Sequence, residues 1–298
     1  MIQADRSRVR LLTVRHLTVY RYREPVGLGE HRMMFRPRES HDLRLVHGRL
    51  DISPRPSALR WVHDVFDNSV AIAAFDVSTA ELRFDSTVTL EHHETKLPDY
   101  ALEPEAKSYP FDYAEEDRPD LLGGLTRRYP TAEVDAWAAR FLDEHRSIGT
   151  LPLLHAMTFG IRNAFVYERR TQKGVQTPAD TLRLGRGSCR DFALLMMEAV
   201  RSLGFAARFV SGYIFVPGID VDEVLGGGAT HAWLQVYLPG AGWIDFDPTN
   251  SIVGNRNLIR VAVAWDPRQA LPLWGTYHGP ASAPAGMDVT VSVVEQDA

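Results

Sequence analysis

The sequence predicts an α+β protein whose first third is all β, on three observations. Segments between Val9 and about Glu94 are rich in Val, Thr, Ile and Phe and partly alternate apolar with polar residues. Helical spacing takes over near Thr131, and the period returns to two beyond Ala206. With 298 residues, 45% of them hydrophobic and 24% charged, the chain can bury a sizeable core in two structural units, which makes a disordered or fibrous reading poor.

Taken in order, the β segments are Leu11 to Tyr22, Leu43 to Ser53, Arg60 to Phe66, Ser69 to Val77 and Glu81 to Leu90, separated by turn formers such as Pro54, Pro56, Asp67 and Asn68. They predict an N-terminal β-sandwich domain over residues 1–95. Pro98, Pro104, Pro110 and Pro119 then break any regular element, so 96–130 reads as a surface linker whose tyrosines pack it down. The core is expected over 131–255. Thr131 can cap a helix carrying Val134, Trp137, Ala138 and Phe141; a second helix runs from Leu151 to Phe165; and Thr177, Pro178 and Asp180 start a short one that Gly185 ends.

Next, Gly187-Ser188-Cys189-Arg190-Asp191 opens an apolar helix through Phe192, Leu195, Met196, Ala199 and Leu203, stopped by Gly204. Ala206 to Val216, His231 to Leu238 and Trp243 to Asp247 read as strands, with Pro239-Gly240-Ala241-Gly242 turning between the last two. The tail, 256–298, returns to β character at Asn257 to Trp265 and Met287 to Val294 and is expected to close the fold. No internal repeat is visible.

Composition narrows the function classes. The formal charge is −5 and the 33 basic residues are spread along the chain, so a nucleic-acid partner is not expected. The N-terminus has no apolar segment followed by a cleavage site, and no stretch reaches the roughly 18 apolar residues of a membrane helix, so no membrane partner is expected and cytoplasm is the expected compartment. One cysteine cannot make an intramolecular disulfide, and no Cys/His cluster has zinc spacing. Neither a metal nor a cofactor is expected. Asp220, Asp222 and Glu223, in a loop Gly218 to Gly228 that reads as a lid, lack a calcium-loop pattern.

A thiol attacks as thiolate, and a helix N-terminus favours negative charge through its exposed N–H groups and aligned peptide dipoles. Cys189 has that placement, and its own amide could donate to an oxyanion; the same pattern also fits a small buried hydrophobe. A cysteine nucleophile further needs a base and a group that orients the base. His231 begins a strand and Asp247 ends its hairpin partner, although each also reads as a structural residue, Asp247 as a turn cap before Pro248. Asp245 shares a face with Asp247 and competes for the third role. The ten other histidines, His92 and His93 among them, read as surface or packing residues.

Four blocks carry a resemblance to a known family: Gly187-Ser188-Cys189-Arg190-Asp191-Phe192-Ala193, Gly204 through Tyr213, Thr230-His231-Ala232-Trp233-Leu234-Gln235-Val236-Tyr237, and Gly242-Trp243-Ile244-Asp245-Phe246-Asp247-Pro248-Thr249. In this order they resemble the bacterial transglutaminase-like proteins, provisionally described as cysteine proteases, whose core is related to the papain-like fold. The first 95 residues look like the N-terminal β domain of that group, and Val261 to Val294 like its closing strands. The resemblance implies a Cys189, His231, Asp247 triad that forms a thioester with a peptide or protein amide substrate and releases it to water. Cross-linking by an attacking amine, or an inactive binding module of the same fold, are the alternatives. It also implies an aromatic tunnel at Trp233 and Trp243, against core packing of the hairpin. Arg190 and Asp191, charged residues in a first helical turn, read either as a pair across the helix start or substrate contacts, or as caps and surface pairs. One departure is Ala264-Trp265-Asp266-Pro267-Arg268, where relatives carry a Gly-Arg-Asp-Tyr-type run expected beside the site. The β domain is expected to present substrate, support the core or mediate homo-oligomerisation.

Overall fold

The computed structural model describes residues 9–93, 100–142, 148–169, 174–215, 225 and 227–296. The first five strands are β1 (Val9–Met33), β2 (Leu43–Ser53), β3 (Ala58–His63), β4 (Ser69–Ala74) and β5 (Ser78–His93). They pair antiparallel in the order β2-β5-β1-β4-β3. β1 is longer than its alternation implied, because Pro25, which cannot donate to a ladder, falls in an irregularity between Arg21 and Val26 and does not end the strand. The first half of β1 pairs with β5 and the second with β4. The two halves of this sheet close on each other over Val26, Leu28, Met33, Phe35, Leu82 and Phe84.

The stretch read as a linker is built into the core. Ser108–Tyr109 (β6) pairs with Ile148–Gly149 (β7), and Arg118–Leu125 forms helix α1. Tyr113 is buried; its hydroxyl donates to the carbonyl of Tyr237 and accepts from the amide of Ala206, both at 2.9 Å. The prolines forbade long elements there, but the tyrosines supply the burial.

Four further helices follow: α2 (Ala132–Ala139), α3 (Thr150–Ala164), α4 (Pro178–Leu184) and α5 (Cys189–Ser202). Thr131 and Thr177 accept the capping bonds from Val134 and Asp180, and Gly185 takes the left-handed conformation, φ 63°, that ends α4. Between α3 and α5, Val166–Tyr167 (β8) and Arg186–Gly187 (β9) form a short parallel pair. The core sheet is antiparallel, in the order β13 (Ile252–Val253), β12 (Gly242–Asp247), β11 (His231–Leu238), β10 (Ala207–Ile214), β14 (Leu258–Ala264). α5 lies on the face formed by Ala232, Leu234, Val236, Ile244 and Phe246. Its far end is fixed by a buried pair, Arg201 to Glu198 at 2.7 Å, with Arg201 also donating to the carbonyls of Gly124, Ala207 and Trp265.

The tail divides. Only β14 joins the core sheet; Leu273–His278 (β15) and Pro284–Glu295 (β16) flank β1, so the last strands complete the N-terminal domain. The reason is apolar: Val289, Val291 and Val293 join Leu12, Val14, Val88 and Leu90 over Tyr213, Phe215, Ile259 and Val261, the seam between the two sheets. Among the described residues no helix is long and apolar enough to cross a membrane.

Candidate active site

Cys189 is the first residue of α5 and is buried. The turn before it is fixed by Asp191, whose carboxylate accepts from the Ser188 amide at 2.8 Å and from the Gln176 amide at 2.7 Å. Asp191 therefore caps the helix start. Gly187 leaves room for this: a Cβ there would lie 2.9 Å from Cβ of Asp191.

His231 is the first residue of β11 and Asp247 the last of β12, so the hairpin brings both to one end of the sheet. Nε2 of His231 lies 2.8 Å from Oδ2 of Asp247, with both side chains fully out of solvent. Oδ1 of Asp247 accepts from the Thr249 amide at 2.9 Å, and Oδ2 also accepts from Nδ2 of Asn250 at 3.0 Å. With Nε2 taken, Nδ1 is the nitrogen left for the thiol; it is buried and makes no hydrogen bond of ordinary geometry, while Cys189 lies close enough to the ring to act on it.

The electrostatics follow from burial opposed by charge. Burial lowers the pKa of His231, but the charge and hydrogen bond of Asp247, followed by Cys189, outweigh it and the net direction is up. Burial raises Asp247, and His231, Asn250 and the Thr249 amide overcome it, so its pKa falls. The pair is built to hold an imidazolium against a carboxylate.

Asp245, the competitor for the third role, is turned elsewhere: its Oδ1 accepts the indole N–H of Trp233 at 2.6 Å and its Oδ2 faces Nη1 of Arg260 at 3.3 Å. The aromatic tunnel is not formed by these tryptophans. Trp233 is fully buried, and Trp243 packs at the other end of the hairpin, opposite Tyr237 and beneath the Arg208 guanidinium at 4.2 Å. The Ala264 to Arg268 run also lies away from Cys189. The Trp265 carbonyl accepts from Arg201, twelve residues along α5 and so about 18 Å from its start. The Gly218 to Gly228 loop lies largely outside the described residues, so neither a lid nor a metal role is assigned to Asp220, Asp222 or Glu223. Among the described residues no cluster of three or more metal-ligating side chains occurs.

Two neighbours escaped sequence reasoning. Tyr167 pairs in register with Gly187; burial, then the proximity of Cys189, opposed by Arg169 and aided by Asp247 and Asp191, holds its hydroxyl neutral. Asn250 braces Asp247 and reaches the Leu225 carbonyl at 3.2 Å. The Asp247-Pro248-Thr249-Asn250 turn was the available signal for Asn250; Tyr167 is separated from Cys189 by a helix and had none.

A helix-borne thiol set against an antiparallel sheet that carries histidine and then aspartate defines the papain-like class of α+β folds. Residues 154–248 match the transglutaminase-like superfamily and residues 12–91 the bacterial transglutaminase-like N-terminal region. An uncharacterized protein of Mycobacterium tuberculosis is 29% identical over 293 residues, covering 94% of this chain and 91% of that one. A Mycobacterium leprae protein is 36% identical over 114 residues, 38% of this chain and 39% of its own length, so the match spans about two fifths of that relative. A Cytophaga hutchinsonii protein, provisionally described as a cysteine protease, superposes with TM-score 0.72 at 18% identity over 98% of this chain and 93% of that one, a likeness of fold.

Proposed function

We propose that this chain is a thiol-dependent acyl-transfer enzyme that hydrolyses an amide or peptide bond through Cys189, His231 and Asp247. The observation that carries the reading is the 2.8 Å contact of His231 Nε2 with Asp247 in a fully buried setting, with the other ring nitrogen left to the thiol at the α5 N-terminus. The Cys189 thiolate attacks the carbonyl carbon and a C–S bond forms. The Cys189 amide, which has no intrahelical acceptor, donates to the oxyanion. On collapse the C–N bond breaks, and the imidazolium of His231 gives its proton to the departing amine. A thioester remains. Water, deprotonated by His231, then attacks it, the C–S bond breaks, and an acid is released with the thiolate regenerated.

Intact-mass measurement after brief iodoacetamide treatment at pH 6 tests the nucleophile, comparing the wild type with His231→Ala. Single labelling slowed at least about tenfold by the substitution is expected, and equal rates would remove the triad reading. With casein in H2 18O and an added primary amine, 18O in the product acid is expected. An isopeptide as the main product would replace hydrolysis with cross-linking.

A further inference from the structure

One row of residues crosses the core sheet beside the candidate base. Gly212 on β10 stands in register with His231 on β11 and, on its other side, with Arg260 on β14, at a register irregularity. Having no side chain, Gly212 leaves a gap between them, and the indole of Trp233 fills it: a Cβ on Gly212 would meet Cη2 of Trp233 at 2.7 Å. Trp233 lies two residues along β11 from His231, its ring near-parallel to the imidazole at 26° with centroids 5.9 Å apart.

The tilt of that indole is set by its one polar atom, which donates to Asp245 at 2.6 Å. Asp245 is held in turn by Arg260, and the other arm of Arg260 leaves the core sheet altogether. Nη2 contacts Oδ1 of Asp42 at 2.5 Å and Oγ of Ser40 at 3.0 Å, residues of the N-terminal domain between β1 and β2. Asp42 is itself fixed by Nδ2 of Asn255 at 2.7 Å. All the charged members are buried or nearly so, with side-chain exposures of 13% for Arg260, 8% for Asp42 and 4% for Asp245. Hydrophobic residues of the same volume commonly stabilise a core as well as a buried ionic chain does, so the retained charges point to orientation.

We propose that the N-terminal β domain positions the catalytic base through the buried chain Asp42, Arg260, Asp245 and Trp233. The inference rests on the reading of His231 as that base. These four are positioning residues: none touches the thiol, and each fixes the next until the indole plane limits how the imidazole can turn between Asp247 and Cys189. The β domain thereby contributes to chemistry carried out on another sheet.

The test uses the full chain and iodoacetamide. The alkylation rate of Cys189 is followed from pH 5 to the pH where it levels off, in the wild type, Asp42→Asn, Trp233→Phe and His231→Ala. Trp233→Phe removes the N–H that Asp245 accepts together with the outer edge of the indole that fills the gap at Gly212. In Asp42→Asn and Trp233→Phe the ratio of the pH 6 rate to the high-pH limit is expected to fall about threefold to tenfold, while the limit itself, where the thiolate needs no imidazolium, stays put. A role confined to folding would lower the melting temperature and leave the ratio unchanged, which overturns the proposal. If Asp42→Asn does not fold, the ratio in Trp233→Phe decides, and restoration of the wild-type ratio by Asp42→Glu supports the link across the domains. If His231→Ala itself leaves the ratio unchanged, it is the thiol–imidazole reading that fails.

Discussion

His231 and Asp247 meet at 2.8 Å through Nε2 and Oδ2 in a site neither shares with solvent. The carboxylate does two things there: its charge holds the imidazole proton, and its acceptor atom fixes which nitrogen points away from the thiol. Asp247→Asn keeps the shape and removes both, since an amide N–H facing Nε2 forces the opposite tautomer. Alkylation of Cys189 at pH 6 is expected to slow by roughly tenfold or more, the equivalent of about one pKa unit in His231. Circular dichroism should show an unchanged fold. An unaltered rate would mean that Asp247 serves only as the turn cap for Thr249.

Arg201 and Glu198 anchor the opposite end of α5 with no exposure of either side chain. Arg201→Met leaves the Glu198 carboxylate buried without its cation and takes the donor from the Gly124 and Ala207 carbonyls, while the Trp265 carbonyl keeps Nε of Arg128 at 3.2 Å. The expected cost is about 3–5 kcal/mol. Thermal unfolding should fall by roughly 5–15 °C at this size. The His231 dependence of alkylation should survive, because Cys189 lies a helix length away; its loss together with stability would show that the helix end, too, governs the site.

Much of this was legible in the sequence because local rules and tertiary contacts agree. Thr177, Pro178 and Gly185 mark α4 to the residue, and the hairpin from His231 to Asp247 follows from alternation and a four-residue turn. What escaped depends on partners distant in the chain. β15, with Gly275 seated against His31, hides in a stretch rich in Gly and Pro and is a strand only because β1 offers it an edge. Asp42, which reads as a loop acid, acquires its role from Arg260, 218 residues away. Asp245 and Asp247 share a strand face, so period alone could not say which one holds the imidazole; the contact of Asp245 with Trp233 separates them.

Gly212 separates two effects that a glycine substitution can have. A Cβ there would sit 2.1 Å from the Ile259 carbonyl and 2.7 Å from Trp233, whereas at Gly286 on β16 it would meet nothing within 4 Å. Gly212→Ala is expected to cost at least about 1–3 kcal/mol by overpacking and to slow Cys189 alkylation at pH 6 by displacing the indole. Gly286→Ala is expected to be neutral or to stabilise by about 0.4–1 kcal/mol through the unfolded chain. Denaturant titrations of the two variants check both signs, and a tolerated Gly212→Ala would show that the row beside His231 has slack.

Asp42 supplies a pH test of the interdomain link. Burial raises its pKa, but Arg260, Ser40 and Asn255 together outweigh burial and hold the folded value below the ordinary 3.8. A carboxylate depressed on folding contributes stability that is fully present above its unfolded pKa and is lost as pH falls toward the folded value. The unfolding free energy of the wild type should therefore exceed that of Asp42→Asn by about 3 kcal/mol at pH 7, near the low end for a broken buried pair because Arg260 keeps Asp245. The gap should hold down to about pH 4 and narrow below it, toward pH 3 and lower. Urea titrations of both proteins at pH 7, 5, 4 and 3 measure it. A gap of constant size across that series would show that Asp42 carries no charge-dependent part of the link, leaving shape and hydrogen bonding to join the β domain to Arg260.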